Sequence, residues 1–294
     1  MARTLRLLSS LTLFTLSLGL PLDDILLQIF QNIHWLPNAL AQVTSDLAPR
    51  AVSFQPKAGA TFNIELSVVP KTSEANDQSY HVWDFDMFDA PTSTIKAFQD
   101  KGHPVICYFS AGSYEDWRGD ADDFPSAALG EPLGGWEGEY WLDTRNQKIR
   151  SIMAKRIALA ASKGCDAVDP DNVDGYTNPT GFDLTKADAV DYLKFLANEA
   201  HSHGMACGLK NGGDVLGQLV DVMQFSVNEQ CVQYNECDLY QPFIEQNKPV
   251  FHIEYTEKSP AAASFVTKSC TNKGAKGFST LIKHMSLDAW TTKC

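Results

Sequence analysis

The segment Ala167-Val-Asp-Pro-Asp-Asn172 is the clearest sign of the fold, because a short apolar run ends in acids directly after a stretch with helical periodicity. Over residues 146–163 the apolar side chains recur on one stripe, at Ile149, Ile152, Met153, Ile157 and Ala160. We expect Thr144 to be the N-cap of this helix, and Gly164 lies just past its end. The segment therefore predicts one helix–strand unit of an α/β fold.

The same alternation of strand and helix recurs along the rest of the chain. A second helix is predicted over residues 186–203, where Thr185 and Asp188 resemble a capping box and Gly204 closes the helix. Eight strand-like runs are present: Phe62–Val68, His81–Phe88, Pro104–Ser110, Ala167–Asp171, Met205–Asn211, Gln224–Glu229, Val250–Tyr255 and Gly277–Lys283. Eight strands alternating with helices over about 250 residues are what a (β/α)8 barrel of the TIM type requires.

Two further segments complete the predicted domain organisation. Tyr140-Trp-Leu-Asp143 also reads as a strand, and we expect it to be an extra short strand or rim segment of the barrel. Residues 42–60 are expected to be a poorly structured lead-in, and residues 61–294 to form the barrel domain. The sequence contains no internal repeat or low-complexity linker that would divide this domain.

The composition of the 294-residue chain limits what it binds. It is 44% hydrophobic and 20% charged, which is enough apolar material for a sizeable core and argues against disorder. Its 36 acids against 24 Lys and Arg give a net charge of −12. This balance argues against a nucleic-acid backbone as a partner and fits a neutral or cationic ligand.

The N-terminal stretch has the pattern of a secretory signal. Arg3 and Arg6 precede an uncharged, Leu-rich run from Leu7 to Leu22, which is shorter than a membrane helix normally needs. Ala39-Leu-Ala41 supplies a small-x-small cleavage site. We interpret residues 1–41 as a cleaved signal peptide or an uncleaved signal anchor. Both place the body of the protein outside the cytosol, and only the anchor would attach it to a membrane.

The seven cysteines suit an oxidising compartment. Cys231 and Cys237 flank a short polar loop and make a plausible bridge, and Cys270 and Cys294 could fix the C-terminus. We interpret the remaining three as buried thiols that act as small hydrophobes: Cys107, Cys165 and Cys207.

Acids are concentrated where the predicted strands end, which is where barrel enzymes carry their active sites. The strand-end charges are Asp84, Asp86, Asp169, Asp171, Glu229, Glu254 and Lys210. Closely spaced carboxylates raise one another's pKa, so one can remain a general acid while another stays ionised. Two such groups on either side of a bond are the equipment of glycoside hydrolysis. A single acid of this kind is also a common N-cap or loop acceptor, and that reading stays open for Asp84, Asp86 and Asp169.

Aromatic side chains near the same strand ends are typical of carbohydrate sites. Rings suited to stacking on sugar faces are Trp83, Tyr108, Tyr114, Trp117, Trp136, Trp141, Tyr176 and Tyr255. Packing in the core or at the rim is the alternative, and we expect it for about half of them.

Several segments together resemble the endo-α-1,4-polygalactosaminidase family, glycoside hydrolase family 114. The most specific is Val168-Asp-Pro-Asp-Asn-Val-Asp-Gly-Tyr176; the others are Trp83–Asp89, Val105–Arg118, Tyr140–Asp143, Gly208–Asn211, Val227–Cys231, Phe251–Tyr255 and Gly277–Thr280. The resemblance implies an extracellular hydrolase that cleaves within α-1,4-linked galactosamine polymers, as in galactosaminogalactan. It implies neither a metal nor an organic cofactor, and we expect a monomer.

Carried over by motif position, Asp171 and Glu229 become the catalytic pair. We assign Asp171 as nucleophile and Glu229 as acid/base by analogy with other barrel glycosidases. The residues expected to contact the sugar are Asp84, Asp86, Tyr108, Trp141, Asp143, Asp169, Asn172, Lys210, Glu254 and Tyr255. Deacetylated galactosamine units are cationic, so we expect Asp84, Asp86, Asp169 and Glu254 to attract them.

Other functions fit the sequence less well. Asp166–Val173 resembles the chitinase pattern D-x-x-D-x-D-x-E, but Val173 stands where that pattern needs a proton-donating Glu. A metal-dependent deacetylase would need clustered histidines, and the seven here are scattered. A catalytically inactive carbohydrate-binding wall protein, or a barrel glycosidase acting on another polysaccharide, remains the alternative.

The charge balance leads to a prediction about salt. If acids steer a cationic polymer to the protein, activity on partially deacetylated polymer falls as ionic strength rises. Initial rates between low and high NaCl concentration test this. An unchanged rate would exclude electrostatic steering.

Overall fold

A computed structural model describes residues 51–294. The predicted signal segment, residues 1–41, and the first part of the lead-in, residues 42–50, lie outside the described residues. Within the described part, no helix combines the length and the apolar character needed to cross a membrane. Residues 51–60 contain no helix or strand, yet Phe54 is buried and packs on Phe225 with ring centroids 6.4 Å apart.

Eight parallel strands form the main sheet, and each pairs with the next parallel strand in sequence. This order confirms the predicted TIM-type α/β barrel. The eight strands are β1 (Phe62–Glu65), β2 (Val82–Asp86), β3 (Val105–Ser110), β7 (Ala167–Asp171), β8 (Ala206–Lys210), β9 (Phe225–Glu229), β10 (Val250–Tyr255) and β11 (Ser279–Lys283). A ninth strand, β12 (Thr291–Lys293), pairs antiparallel with β11. All eight parallel strands lie within the predicted runs.

Six α-helices lie between these strands: α1 (Thr92–Gln99), α2 (Gln147–Lys163), α3 (Lys186–Ser202), α4 (Cys231–Tyr234), α5 (Gln241–Glu245) and α6 (Ala263–Cys270). The 3-10 turns are Glu74–Asn76, Ala121–Asp123, Ser126–Ala128, Gly175–Thr177, Leu216–Gln218 and Cys237–Tyr240. The whole predicted apolar stripe of α2 is buried. Of the two long helices, α3 packs against β8 and β7, and α2 packs against α3.

The structure confirms three of the four predicted ends of helices α2 and α3. The Thr185–Asp188 capping box of α3 is present, Gly164 ends α2 with a φ of 88°, and Gly204 follows α3 with a φ of 79°. The predicted N-cap at Thr144 is wrong. Asn146 occupies that position, and its side chain accepts the Lys148 amide at 2.8 Å.

The barrel interior is apolar at the end where the strands begin. The rings of Phe62, Phe225 and Phe251 meet there, with centroid distances of 4.7 Å and 5.6 Å to Phe251. The last strand lies beside the first, since Ser279 Oγ donates to Ala60 O at 2.6 Å. Burial of these aromatics fills the floor, so the polar ends of the strands are left at the opposite end.

A small antiparallel sheet is inserted after β3. It consists of β4 (Ser113–Glu115), β5 (Leu129–Pro132) and β6 (Glu139–Leu142), with β6 in the centre. The extra strand predicted at residues 140–143 is therefore confirmed. Arg156 of α2 ties this insertion to the barrel, because its buried guanidinium donates to Ser110 O and to Asp120 Oδ2, both at 2.8 Å.

Three disulfides link six cysteines of the described residues. The predicted Cys231–Cys237 and Cys270–Cys294 bridges are present. The prediction that Cys107 and Cys165 are free thiols is wrong, since they form a third bridge with a Cα–Cα distance of 6.0 Å. The two lie 58 residues apart and meet because β3 pairs with β7. Cys207 is a buried free thiol, as predicted.

The Cys107–Cys165 bridge closes a long loop and should contribute measurably to stability. The loop-closure relation gives about 4 kcal/mol for a loop of this length, so we expect the double variant Cys107→Ala/Cys165→Ala to lose up to that much free energy of unfolding. Denaturant titration measures the loss, with Cys207→Ala as the matched control that removes a thiol but no bridge. Equal stability of the double variant and this control would contradict the bridge.

Candidate active site

Three charged side chains end three adjacent strands of the barrel. Asp171 is the last residue of β7, Lys210 the last of β8 and Glu229 the last of β9. Lys210 Nζ lies 2.9 Å from Asp171 Oδ2 and 3.6 Å from Glu229 Oε2. The two carboxyl oxygens are therefore at most 6.5 Å apart, the sum of those distances. The fold brings both acids to one buried ammonium.

The carboxylate of Asp171 is held by neutral donors as well. Tyr108 OH donates to Oδ2 at 2.9 Å, and the backbone amide of Asn172 donates to Oδ1 at 2.7 Å. Asn172 has a φ of 58°, which asparagine adopts more readily than most residues, and its side chain donates to Ser110 Oγ at 2.9 Å. This turn requires glycine at position 112, because a Cβ there would lie 1.6 Å from Asn172 O.

Glu229 has its own pair of donors. Tyr255 OH donates to Oε1, and Asn211 Nδ2 donates to Oε2 at 3.0 Å. Asn211 also accepts the Glu229 amide through Oδ1 at 2.9 Å, so one side chain fixes both the backbone and the carboxyl. Burial and the charge of Glu229 raise the pKa of Tyr255, which keeps its hydroxyl protonated as a donor.

Burial and charge act in opposite directions on Lys210. Burial disfavours its ammonium, but the carboxylates of Asp171 and Glu229 outweigh that effect and raise the pKa of Lys210 above its ordinary value. Two more acids, Asp84 and Asp169, lie deeper in the barrel, with exposed fractions of 1% and 0%. Burial raises the pKa of Asp169 to about 7, and burial together with Asp169 raises that of Asp84 well above its usual range.

An open groove crosses the carboxylate pair in three connected depressions. The central depression, of about 430 Å³, is lined by Tyr108, Glu139, Trp141, Asp171, Asn172, Glu229 and Tyr255, among others. We call the depression that contains Trp117, Arg118 and Leu287 the tryptophan arm; its volume is about 170 Å³. We call the one that contains Tyr176, Tyr234 and Tyr240 the tyrosine arm; its volume is about 370 Å³. Glu229 lines all three depressions.

The chain also matches the model of a known protein family. The model of glycoside-hydrolase family GH114 matches residues 44–294. The chain belongs to family GH114. The resemblance to the endo-α-1,4-polygalactosaminidase family is thereby confirmed, and the protein is a glycoside hydrolase. No match was found among curated protein sequences.

Two solved structures are similar to this GH114 chain. It is 45% identical to Ega3 from Aspergillus fumigatus, crystallised with galactosamine, with a TM-score of 0.79 over 84% of this chain and 100% of that one. The glycoside hydrolase domain of PelA from Pseudomonas aeruginosa is 15% identical, with a TM-score of 0.62 over 80% of this chain and 98% of that one. The second likeness shows the fold alone.

Seven of the predicted site residues meet in the groove of this GH114 chain. They are Tyr108, Trp141, Asp171, Asn172, Lys210, Glu229 and Tyr255. Asp86 also lines the tryptophan arm, but its carboxylate is occupied by Arg118 Nη2 at 2.6 Å and by the Phe88 amide at 2.8 Å. The groove therefore contains most of the predicted set, and direct sugar contact by each member stays a prediction.

Three predicted sugar contacts are enclosed in the structure, and a fourth lies outside the groove lining. Asp84 and Asp169 are enclosed in the barrel, and none of their carboxyl oxygens has a hydrogen-bond partner among residues 51–294. Glu254 is also buried and accepts the Val232 amide at 2.8 Å. Asp143 is partly exposed and binds Arg145 at 2.8 Å, as part of the turn that leads into α2. We therefore withdraw Asp84, Asp169 and Glu254 from the sugar-binding set, and contact by Asp143 stays a prediction.

The aromatic rings predicted to stack on sugars also divide into buried and exposed ones. Trp83 is buried in the core, with its ring 4.8 Å from that of Phe98. Trp117 and Trp136 are 54% and 51% exposed and line the tryptophan arm, so they remain available for stacking.

Sequence reasoning missed several polar residues of the groove, including Asn211, Glu139 and Asp174. Asn211 follows Lys210 directly at the end of β8, and its position in the quoted Gly208–Asn211 segment was a usable signal. Glu139 and Asp174 also line the central depression. Glu139 begins β6 in the inserted sheet, and Asp174 lies in the loop after β7, so no barrel periodicity points to either of them.

One group of potential metal ligands exists among the described residues. Atoms of Cys231, Cys237 and His252 lie within 4.8 Å of one another. The two sulfurs are joined in a disulfide, and His252 bonds Thr280 Oγ1 at 2.9 Å and Glu254 Oε1 at 3.0 Å. None of these residues lines the groove, so this group belongs to the packing behind β10.

The Lys210 ammonium should set the pH range of the enzyme. In Lys210→Met the two carboxylates lose their shared cation. The negative charge of the Asp171 nucleophile is then less stabilised, so the variant needs a higher pH to form it. We expect kcat/KM to fall about a hundredfold and the acidic limb of the pH–rate profile to move to higher pH. Lys155→Met, which breaks an exposed ion pair with Asp123, is the matched control. An acidic limb that stays in place would show that Lys210 does not tune the pair.

Proposed function

We propose that this GH114 protein is an endo-acting hydrolase of α-1,4-linked galactosamine polymers, with Asp171 as nucleophile and Glu229 as acid/base. The observation that carries the proposal is the pair of acids held around Lys210 in an open groove. Both carboxyls lie at the carboxyl ends of parallel strands, where barrel enzymes perform their chemistry.

The spacing of the pair supports a retaining mechanism. Carboxyl groups are about 5–5.5 Å apart in retaining glycosidases and about 6.5–9.5 Å apart in inverting ones. An upper limit of 6.5 Å between Asp171 Oδ2 and Glu229 Oε2 leaves little room for a water between an inverting pair.

The contacts of the two carboxyls support their separate roles. The ammonium of Lys210 is closer to Asp171 than to Glu229, and Tyr108 shares the same oxygen of Asp171. The ammonium and the hydroxyl hold this oxygen of Asp171 as an acceptor, which suits a carboxylate that acts as nucleophile. Glu229 lies at the junction of all three depressions, where a leaving-group oxygen can reach it.

The proposed reaction has two steps. Asp171 attacks the anomeric carbon while Glu229 gives its proton to the glycosidic oxygen, so the C–O bond breaks and a glycosyl ester forms. Glu229, now ionised, takes a proton from a water that attacks the same carbon. The ester bond breaks, Asp171 leaves as a carboxylate, and Glu229 is protonated again.

The shape of the groove supports cleavage within a chain rather than at its end. The tryptophan arm and the tyrosine arm extend from the central depression, and both contain Glu229. A polymer can therefore occupy sites on both sides of the bond that breaks. Ega3, 45% identical, was crystallised with galactosamine, and this supports a galactosamine-containing substrate.

We propose that the protein acts outside the cell, secreted or tethered at the surface. Three disulfides in the described part of the chain support an oxidising compartment. The basic and apolar pattern of residues 1–41 supports export.

Substitution of the two acids tests the proposal. We expect Asp171→Asn and Glu229→Gln to reduce the release of reducing ends from purified galactosaminogalactan by at least about a thousandfold, since each removes a group that the chemistry requires. Asp100→Asn, at an exposed ion pair with Lys96, is the matched control and should retain full activity. Equal release by wild type and both variants would exclude this carboxylate pair.

The stereochemistry of the first product tests the mechanism separately. NMR of a defined oligomer during the first turnovers should show the α-anomer, because two displacements at one carbon restore its configuration. An initial β-anomer would exclude the retaining mechanism. Binding of the polymer without any release of ends would instead favour a carbohydrate-binding wall protein.

A further inference from the structure

The two arms of the groove differ in which member of the carboxylate pair they contain. The tryptophan arm is lined by both Asp171 and Glu229, whereas among the described residues the tyrosine arm is lined by Glu229 but not by Asp171. In the proposed reaction the nucleophile bonds to the sugar that stays on the enzyme, and the acid/base contacts the oxygen of the sugar that leaves. The tyrosine arm therefore lies on the leaving-group side of the bond that breaks.

Three aromatic rings line this leaving-group side, those of Tyr176, Tyr234 and Tyr240. Tyr234 is 64% exposed, Tyr176 is half-buried and Tyr240 is buried. Such rings offer apolar faces on which a sugar ring can stack, a contact that a water molecule cannot make. The volume of the arm, about 370 Å³, lies within the range of about 300–1,000 Å³ that is usual for small-ligand pockets. The arm therefore favours a sugar over water beside Glu229.

The walls of the tyrosine arm are held in place by contacts within the protein. Tyr176 OH donates to Asp214 Oδ1, and Asp214 Oδ2 lies 2.7 Å from the ammonium of Lys186 at the start of α3. Tyr234 ends α4, within the short segment that the Cys231–Cys237 disulfide closes. A site that is already ordered loses little binding energy to ordering when a ligand enters, so it can bind a second sugar after the first has left.

The proposed mechanism includes a stage at which a second sugar can react. The first product leaves the tyrosine arm while the glycosyl ester on Asp171 is still intact, and Glu229 is then ionised. Glu229 can take a proton from water or from a sugar hydroxyl that occupies the position of the departed oxygen. By microscopic reversibility, groups that break a glycosidic bond at this position also form one there. The second step therefore has two possible acceptors.

We infer that the protein is also a transglycosylase, in which the tyrosine arm binds a second galactosamine chain as the acceptor of the glycosyl group. This inference rests on the proposed function and on its retaining mechanism. It adds to them a second activity, the joining of chains, and a site for the acceptor.

The transfer step differs from hydrolysis only in the acceptor. Glu229 takes the proton of the C4 hydroxyl at the non-reducing end of the acceptor chain, and that oxygen attacks the anomeric carbon of the ester. A new C–O bond forms while the C–O bond to Asp171 breaks. Asp171 leaves as a carboxylate, Glu229 is protonated again, and the new linkage is α-1,4. The step needs no oxidant, reductant or further reactant.

The test uses one purified α-1,4-galactosamine oligomer of defined length, in water enriched in oxygen-18. Hydrolysis places a labelled oxygen on each new reducing end, whereas transfer places none there and gives chains longer than the starting oligomer. Mass spectrometry of short incubations separates the two kinds of product. We expect longer, unlabelled chains, and their ratio to labelled chains should rise with the concentration of the oligomer.

Tyr234→Ala tests the acceptor site, because it removes an exposed ring at the end of α4. The ratio of transfer to hydrolysis compares two fates of one ester, so a slower first step does not alter it. We expect this ratio to fall about threefold to tenfold with the loss of one aromatic contact, and Tyr234→Phe, which keeps the ring, to restore it. The matched control is Tyr140→Ala, at an exposed ring of β6 that is absent from the groove lining; it should keep the wild-type ratio.

Two results would overturn the inference while leaving the proposed function intact. If the wild type gives only shorter, labelled chains at every oligomer concentration, water is the sole acceptor. If Tyr234→Ala keeps the wild-type ratio, the acceptor does not bind in the tyrosine arm. Failure of the wild type to cleave the oligomer and the polymer would instead remove the proposed function, and this inference with it.

Discussion

The site depends on one buried ammonium, that of Lys210. Asp171, Glu229, Asp169 and Asp84 all lie at or below the same end of the barrel, and four ionised carboxylates there would repel one another strongly. Burial resolves part of this conflict, because it raises the pKa of Asp84 and Asp169 and so favours their neutral forms. The charge of Lys210 is then shared by the two acids that face the groove.

The fold supplies the conditions for this arrangement. The aromatic floor formed by Phe62, Phe225 and Phe251 closes one end of the barrel to water, so a charge placed above it must be paired within the protein. Because the strands are parallel, their last residues lie on one rim, and this is why residues distant in sequence meet around Lys210. The inserted sheet stands beside that rim and adds a wall without altering the barrel.

The sequence predicted the barrel and the carboxylate pair because both follow from short periodicities. A period of two along β7 and β9 places Asp171 and Glu229 on the inner face, and a period near 3.6 identifies the buried stripe of α2. The same rule shows why Glu254 was misplaced. Tyr255 faces the groove, so its neighbour Glu254 must point to the other face of β10. Of these two neighbours on one strand, only one can face the site.

Other predictions were wrong because they depend on tertiary structure, which the periodicity of the sequence does not describe. Asp84 and Asp169 share the inner face with Asp86 and Asp171 but lie two residues earlier on their strands, further inside the barrel. Their burial depends on the side chains of the other strands that surround them. The Cys107–Cys165 bridge depends on the register between β3 and β7, two strands separated by a whole inserted sheet. Glu139 belongs to that insertion, whose position over the groove follows from tertiary contacts such as those of Arg156.

The net charge of −12 does not by itself identify the surface that attracts a cationic polymer. Asp84, Asp169 and Glu254, to which the sequence analysis assigned that role, are enclosed, and Asp86 is paired with Arg118. Attraction at close range must come from acids that face the groove without a partner, and in the tryptophan arm Glu139 meets that condition. Long-range attraction depends on all the acids together, whereas attraction within the groove depends on those acids there that lack a cationic partner.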